Sequence, residues 1–90
     1  MQEIHCIVKG RVQMVMFRDF AQRKARGLRL AGTVRNLDDG TVMVVAQGNK
    51  PELDALVEKL HKGPLLARVD DVRVEWREPT QSFGGFKILF

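Results

Sequence analysis

The sequence predicts an α+β sandwich in which an antiparallel sheet carries two helices on one face, and three observations predict it. Ile4, Cys6 and Val8 alternate with His5, Ile7 and Lys9, and Val72, Val74 and Trp76 alternate with charged residues, the period-2 pattern of half-buried strands. Two other stretches, around Phe17–Leu28 and Leu53–Leu60, space their apolar residues three and four apart, as helices with one buried stripe do. Between two β-rich segments stands Asp38-Asp39-Gly40, a hairpin signal because glycine adopts positive φ at little cost.

Taken in order, Ile4 to Gly10 is the first strand. The loop Arg11 to Met16 leads into the first helix, whose face Phe17, Phe20, Ala21, Ala25 and Leu28 is apolar and whose opposite face carries Arg23, Lys24 and Arg26. Gly32 to Asn36 and Thr41 to Gln47 are strands two and three, joined across Asp38-Asp39-Gly40. Asn49-Lys50-Pro51-Glu52 opens the second helix with an Asn able to cap and a Pro in the first turn. Leu53, Leu56, Val57 and Leu60 are its buried stripe, and Gly63-Pro64 stops it. Val72, Val74 and Trp76 belong to strand four, with charges on the wet face. Phe86 to Phe90 forms a short final strand after a flexible Ser82-Phe83-Gly84-Gly85. The order β-α-β-β-α-β plus a short final strand is that of the ferredoxin-like, split βαβ sandwich, the simplest way to bury both helical stripes with right-handed crossovers.

At 90 residues the chain builds one core, so residues 1–90 are expected to form a single domain. No apolar run approaches the roughly 20 residues that span a membrane. Met1-Gln2-Glu3-Ile4-His5 lacks the basic start and apolar stretch of a secretory signal, and one cysteine, Cys6, makes no internal disulfide; the expected compartment is the cytoplasm. The net charge of +4 is unevenly spread. Eight basic residues stand against Glu3 and Asp19 through Arg35, whereas the remainder is slightly acidic, so the N-terminal part is the expected anion-facing part.

Fold alone does not give function, and the decision belongs to the loops. Gly10-Arg11-Val12-Gln13-Met14-Val15-Met16-Phe17-Arg18 runs from a strand through a loop to a helix start. Helix N-termini present backbone N–H groups without partners, so a loop curled there cradles a phosphoryl group, and the planar guanidinium of Arg18 completes the cradle with paired hydrogen bonds. Read from spacing alone, the same stretch also fits an ordinary connection with a solvent-facing arginine.

These residues resemble a known family, the acylphosphatases, which hydrolyse the carboxyl-phosphate bond. That family's pattern begins Gly-Arg-Val-Gln-Gly-Val-x-Phe-Arg, continues with Leu-Gly-Leu-x-Gly-x-Val-x-Asn, and closes a hairpin with Asp-Gly-x-Val. This chain has Gly10 to Arg18 as above, Leu28-Arg29-Leu30-Ala31-Gly32-Thr33-Val34-Arg35-Asn36, and Asp39-Gly40-Thr41-Val42. The resemblance implies that Gln13, Met14, Val15, Met16, Phe17 and Arg18 form the phosphate-binding loop, and that Arg18 and Asn36 are catalytic: Arg18 holds phosphate and Asn36 orients the attacking water. A neutral carboxamide suits the second role, because a carboxylate would repel both the anionic substrate and the charge that develops on it. Without the Arg18 block, Asn36 reads as a turn residue before the hairpin.

Two positions depart from the pattern. Met14 stands where the family has glycine, and if the loop is left-handed there the exchange costs roughly 1–2 kcal/mol and its side chain could crowd the pocket. Arg29 stands where the family commonly has the glycine that ends the first helix. Met14, Met16 and Met43 together invite a soft-metal reading, but methionine ordinarily fills space. His5 and His61 read as isolated surface residues, and Cys6, on the apolar face, as packing rather than a nucleophile. Turn chemistry accounts for Asp38 and Asp39.

The expected function is therefore metal-independent hydrolysis of a small-molecule acyl phosphate to a carboxylate and inorganic phosphate, by in-line attack of water, with no cofactor and as a monomer. One alternative is a catalytically impaired homologue that still binds phosphate, for which Met14 speaks. The other is an RNA-binding module of the same fold. Such modules stack bases on aromatic residues of the central strands, and Ile4 to Val8 and Thr41 to Gln47 contain none.

Overall fold

Each expected strand and helix forms, in the expected order: β1 (Gln2–Arg11), α1 (Phe17–Gly27), β2 (Ala31–Asn36), β3 (Val42–Gly48), α2 (Lys50–Lys62), β4 (Arg68–Arg77) and β5 (Phe86–Leu89). The structure is a computed structural model and describes residues 1–90. The sheet order is β4-β1-β3-β2-β5. β1 pairs antiparallel with both β3 and β4, and β2 pairs antiparallel with β3. The final strand differs from the rest, because β5 lies parallel to β2 and makes the sheet mixed at that edge. Connectivity explains this. β4 and β5 occupy opposite edges, so residues 78–85 must cross the whole width of the sheet, and β5 then starts at the same end as β2.

Period-2 burial fixes which face is covered. Ile4, Cys6 and Val8 of β1 and Val42, Val44 and Ala46 of β3 meet Phe17, Ala21 and Ala25 of α1 and Leu53, Leu56 and Leu60 of α2 in one apolar core. Val45 and Gln47 point to the other face and are buried too, so β3 lacks the expected alternation. Here the crossing segment takes the place of solvent: Gln47 Nε2 donates to the Gln81 carbonyl.

That outer face holds a buried carboxylate and an imidazole partner that the sequence reading missed. His5 is half-buried rather than a surface residue, with its Nε2 2.6 Å from the carboxylate of the buried Glu3. Gln47 Nε2 donates to the other Glu3 oxygen at 2.7 Å. Burial works against the Glu3 carboxylate, but hydrogen bonds from Gln47 and His5 and the charges of His5 and Arg77 outweigh it, holding Glu3 below the usual carboxylate range.

The helix ends add one correction and one agreement with the sequence reading. Asn49 occupies the N-cap of α2 but its side chain makes no capping bond. α1 closes with Arg29 N donating to the Arg26 carbonyl at 3.0 Å and Leu30 N to the Ala25 carbonyl at 2.9 Å, the two bonds of a Schellman ending. Such an ending requires a left-handed residue, and Arg29 takes that conformation at φ 59° where glycine would be unstrained.

Candidate active site

The topology collects the carboxyl ends of β1, β2 and β5 and the start of α1 at one end of the sheet. β1 ends in a bulge at Lys9/Gly10, where Gly10 has φ 132° and a Cβ would lie 2.1 Å from the Arg68 carbonyl oxygen. Only glycine lets the chain pass β4 at that distance. Beyond it, Val12 and Val15 are buried in the core and pin the loop, while Met14 and Met16 between and beyond them turn outward. Both methionines are left-handed, at φ 60° and 63°. The loop thus keeps a glycine-like path despite Met14, and the same strain recurs at Met16, which the sequence did not signal. Left-handed residues beside ordinary ones turn successive N–H groups into a shared concavity that suits an anion. Met16 also caps α1, and the first bond across the cap runs from Phe20 N to the Met16 carbonyl, so the N–H groups of the first turn face the same space.

A cleft of about 460 Å³ opens there, and Met14, Met16, Phe17, Arg18 and Asn36 line it. Gln13 and Val15 are not among its lining residues. Val15 is a core anchor. The side chain of Gln13 turns instead to the β2–β3 hairpin, donating from Nε2 to the carbonyls of Leu37 and Thr41, both at 2.8 Å. It clamps the loop to the turn that follows Asn36. The turn is itself braced, as Asp39 Oδ1 accepts from Thr41 N at 3.0 Å and Thr41 Oγ1 at 2.6 Å. Those bonds hold the Asp39 carboxyl below its usual range, and they account for Asp39 as a turn residue.

Arg18 reaches across the cleft to β5. Its Nη1 donates to the Leu89 carbonyl at 3.3 Å and its guanidinium lies 4.8 Å from the centre of the Phe90 ring. Asp19, the carboxylate in the first turn of α1, pairs with Arg23 at 3.0 Å, which leaves Arg18 without an acidic partner. Opposite stands Asn36, whose Oδ1 is buried and has no hydrogen-bond donor. A buried acceptor in that state costs about 1–3 kcal/mol and calls for an incoming O–H or N–H. Cys6, the one thiol, lies in the core and burial pushes it to about 12, so it is protonated and out of reach as a nucleophile. Met43 lines a separate pocket on the outer sheet face and does not join Met14 and Met16. No group of three or more His, Cys, Asp or Glu side chains is placed to hold a metal ion.

Sequence reasoning missed Ile88 and Phe90 as walls of this cleft. Their alternation was visible, but only the parallel pairing of β5 with β2 brings them beside α1.

Fold and cleft together define a class: a small ferredoxin-like domain with a left-handed loop at a helix start, and an arginine and a carboxamide with a buried oxygen lining the same cleft. Comparison with known proteins narrows the class. The acylphosphatase family model matches residues 4–88. An acylphosphatase of Thermus thermophilus is 50% identical over 78 residues, covering 87% of this chain and 89% of that protein. One of Salinibacter ruber is 44% identical over 81 residues, covering 90% and 85%. The crystal structure of acylphosphatase from Bacillus subtilis superposes with a TM-score of 0.97 at 37% identity, with all of both chains covered. The chain belongs to the acylphosphatase family. No helix in it is long and apolar enough to cross a membrane.

Proposed function

We propose that the chain hydrolyses acyl phosphates, with residues 1–90 acting as one domain, the loop 13–18 and Arg18 binding the phosphoryl group and Asn36 directing water onto it. The observation that carries this reading is the buried, donorless Oδ1 of Asn36 in the same cleft as the arginine and the left-handed loop. An acceptor at that point takes one proton of a water and turns an oxygen lone pair toward phosphorus. The water oxygen bonds to phosphorus as the bond to the carboxyl oxygen breaks in line with it. An acyl phosphate dianion and water become a carboxylate and dihydrogen phosphate. Arg18 and the loop N–H groups neutralise charge on the equatorial oxygens, which is the task that a metal ion performs in many phosphoryl-transfer sites. No covalent intermediate, metal or cofactor enters this scheme.

Action as a monomer is part of this proposal, and a single buried thiol suits a reducing cytoplasm. The strands β1 and β3 offer no aromatic side chain for base stacking, which argues against an RNA-binding module. Release of inorganic phosphate from benzoyl phosphate, followed in EDTA, tests the scheme. Turnover is expected to persist in EDTA and to be lost, with phosphate inhibition, in Arg18→Ala. A strict requirement for added divalent metal, or an Arg18→Ala variant with normal turnover, would overturn it.

A further inference from the structure

The cleft sets the polar groups of Arg18 and Asn36 among mostly apolar side chains, three of them strongly exposed, and the reaction geometry gives that arrangement a meaning. Around Arg18 and Asn36 the lining is Val12, Met14, Met16, Ile88 and Phe90 among others, mostly apolar. Asn36 presents a buried oxygen, whereas Met14 is 98% exposed, Met16 69% and Phe90 102%. Apolar side chains this exposed, grouped about one opening, mark a surface that something apolar covers. In-line displacement puts the leaving carboxylate on the side of phosphorus opposite the water. Water held at the buried Oδ1 of Asn36 therefore sends the acyl group away from that oxygen, toward the exposed side chains. Phe90 lies under the Arg18 guanidinium at 4.8 Å, so a phosphoryl group bound by Arg18 already brings the scissile oxygen next to the ring.

We infer that Met14, Met16 and Phe90 form an acyl-binding wall that selects acyl phosphates with apolar acyl groups over small or charged ones. The inference rests on the assignment of Arg18 and Asn36 proposed above. Methionine at position 14 contributes more than strain: its flexible thioether spreads over chains of different shape. The single acidic residue at the cleft, Asp19, is paired with Arg23, so nothing at the mouth is assigned to neutralise a second carboxylate on the acyl group beyond Arg18, which the phosphoryl group occupies.

An aliphatic series tests this, because acetyl, butyryl and hexanoyl phosphates share a leaving group of nearly constant acidity and differ in apolar length. Full burial of a methylene is worth roughly fourfold in binding, and against an open wall kcat/KM is expected to rise about twofold per methylene. Butyryl phosphate is expected to exceed succinyl phosphate, which has the same number of carbons but carries a charge. In Met14→Gly/Phe90→Ala the slope with chain length is expected to flatten, read as a ratio between substrates so that any change at the phosphate side cancels. Glycine suits φ 60°, so this variant keeps the loop path. Inhibition by inorganic phosphate, measured in parallel, reports the phosphate side alone. Turnover of acetyl phosphate with a flat series, a preference for succinyl phosphate, or an unchanged slope in the double variant overturns the wall and leaves the phosphate assignment standing. Failure of every substrate together with absent phosphate inhibition overturns both.

Discussion

The buried Oδ1 of Asn36 accepts no hydrogen bond from the rest of the protein, so its replacement separates folding from catalysis. Asn36→Ala removes an unsatisfied acceptor and is expected to leave stability unchanged or raise it. Turnover is expected to fall about a hundredfold or more, as when one preorganised hydrogen-bonding group is lost, while phosphate inhibition changes little. Initial rates and phosphate inhibition on the same samples check both halves; a matching loss of phosphate affinity would place Asn36 on the phosphoryl group instead. Met14 gives the opposite separation. Its left-handed backbone costs about 1–2 kcal/mol, and glycine returns part of that gain through the freedom of the unfolded chain, roughly 0.4–1 kcal/mol. Met14→Gly is therefore expected to stabilise the protein by about 0.5–1 kcal/mol. Because the loop already follows the left-handed path, the strain shows in chemical denaturation rather than as a misplaced site.

The β2–β3 hairpin meets the loop before α1 through contacts that the sequence pattern does not announce. Gln13 ties the loop to the β2–β3 hairpin through Leu37 and Thr41. Gln13→Leu leaves both carbonyls without that donor, and a stability loss of about 1–3 kcal/mol is expected. Phosphate affinity is expected to weaken as well, since the loop is no longer held against the turn after Asn36; denaturation midpoints and phosphate inhibition measure the two effects. At the far end of the same helix, Arg29 closes α1 in a conformation that favours glycine. Arg29→Gly is expected to raise the unfolding midpoint with no change in phosphate inhibition, because the Schellman ending lies at the opposite end of α1 from Arg18.

Over the whole molecule, the crossing from β4 to β5 links the buried carboxylate of Glu3 to the cleft that holds Arg18 and Asn36. Gln47 binds both Glu3 and the Gln81 carbonyl, and the strand that follows delivers Ile88, Leu89 and Phe90 to Arg18. Glu3 has a folded-state pKa below its ordinary 4.5, so the unfolded chain binds the proton more tightly. Its contribution to stability is complete above 4.5 and is lost as pH falls through the depressed folded value. Glu3→Gln is expected to be less stable at neutral pH and to lose less further stability on acidification. Urea unfolding at neutral pH and at stepped acidic pH checks the difference in slope; equal slopes would remove Glu3 as a source of acid sensitivity.

Much of this protein was legible without coordinates, for a local reason. Period-2 and 3.6-residue patterns are properties of one strand or one helix, so Ile4-Cys6-Val8 and Leu53-Leu56-Leu60 declare their buried faces before any partner is known. The blocks around Arg18 and Asn36 resembled a family pattern at the right separations, and both side chains do line one cleft. What depended on partners far away in sequence was not legible. Glu3 is buried and His5 half-buried beside it because residues 78–85 cross over that face, and the lost alternation of β3 has the same origin. Phe90 joins Arg18 across 72 positions of chain because β5 pairs parallel to β2. The sequence by itself determined the elements, their order and the polar groups that the proposed chemistry uses, since those follow from local pattern and residue type. Only the tertiary structure decided which edge β5 takes, which charge is buried and what walls the cleft, because burial and proximity there are set by a chain crossing that no local pattern encodes.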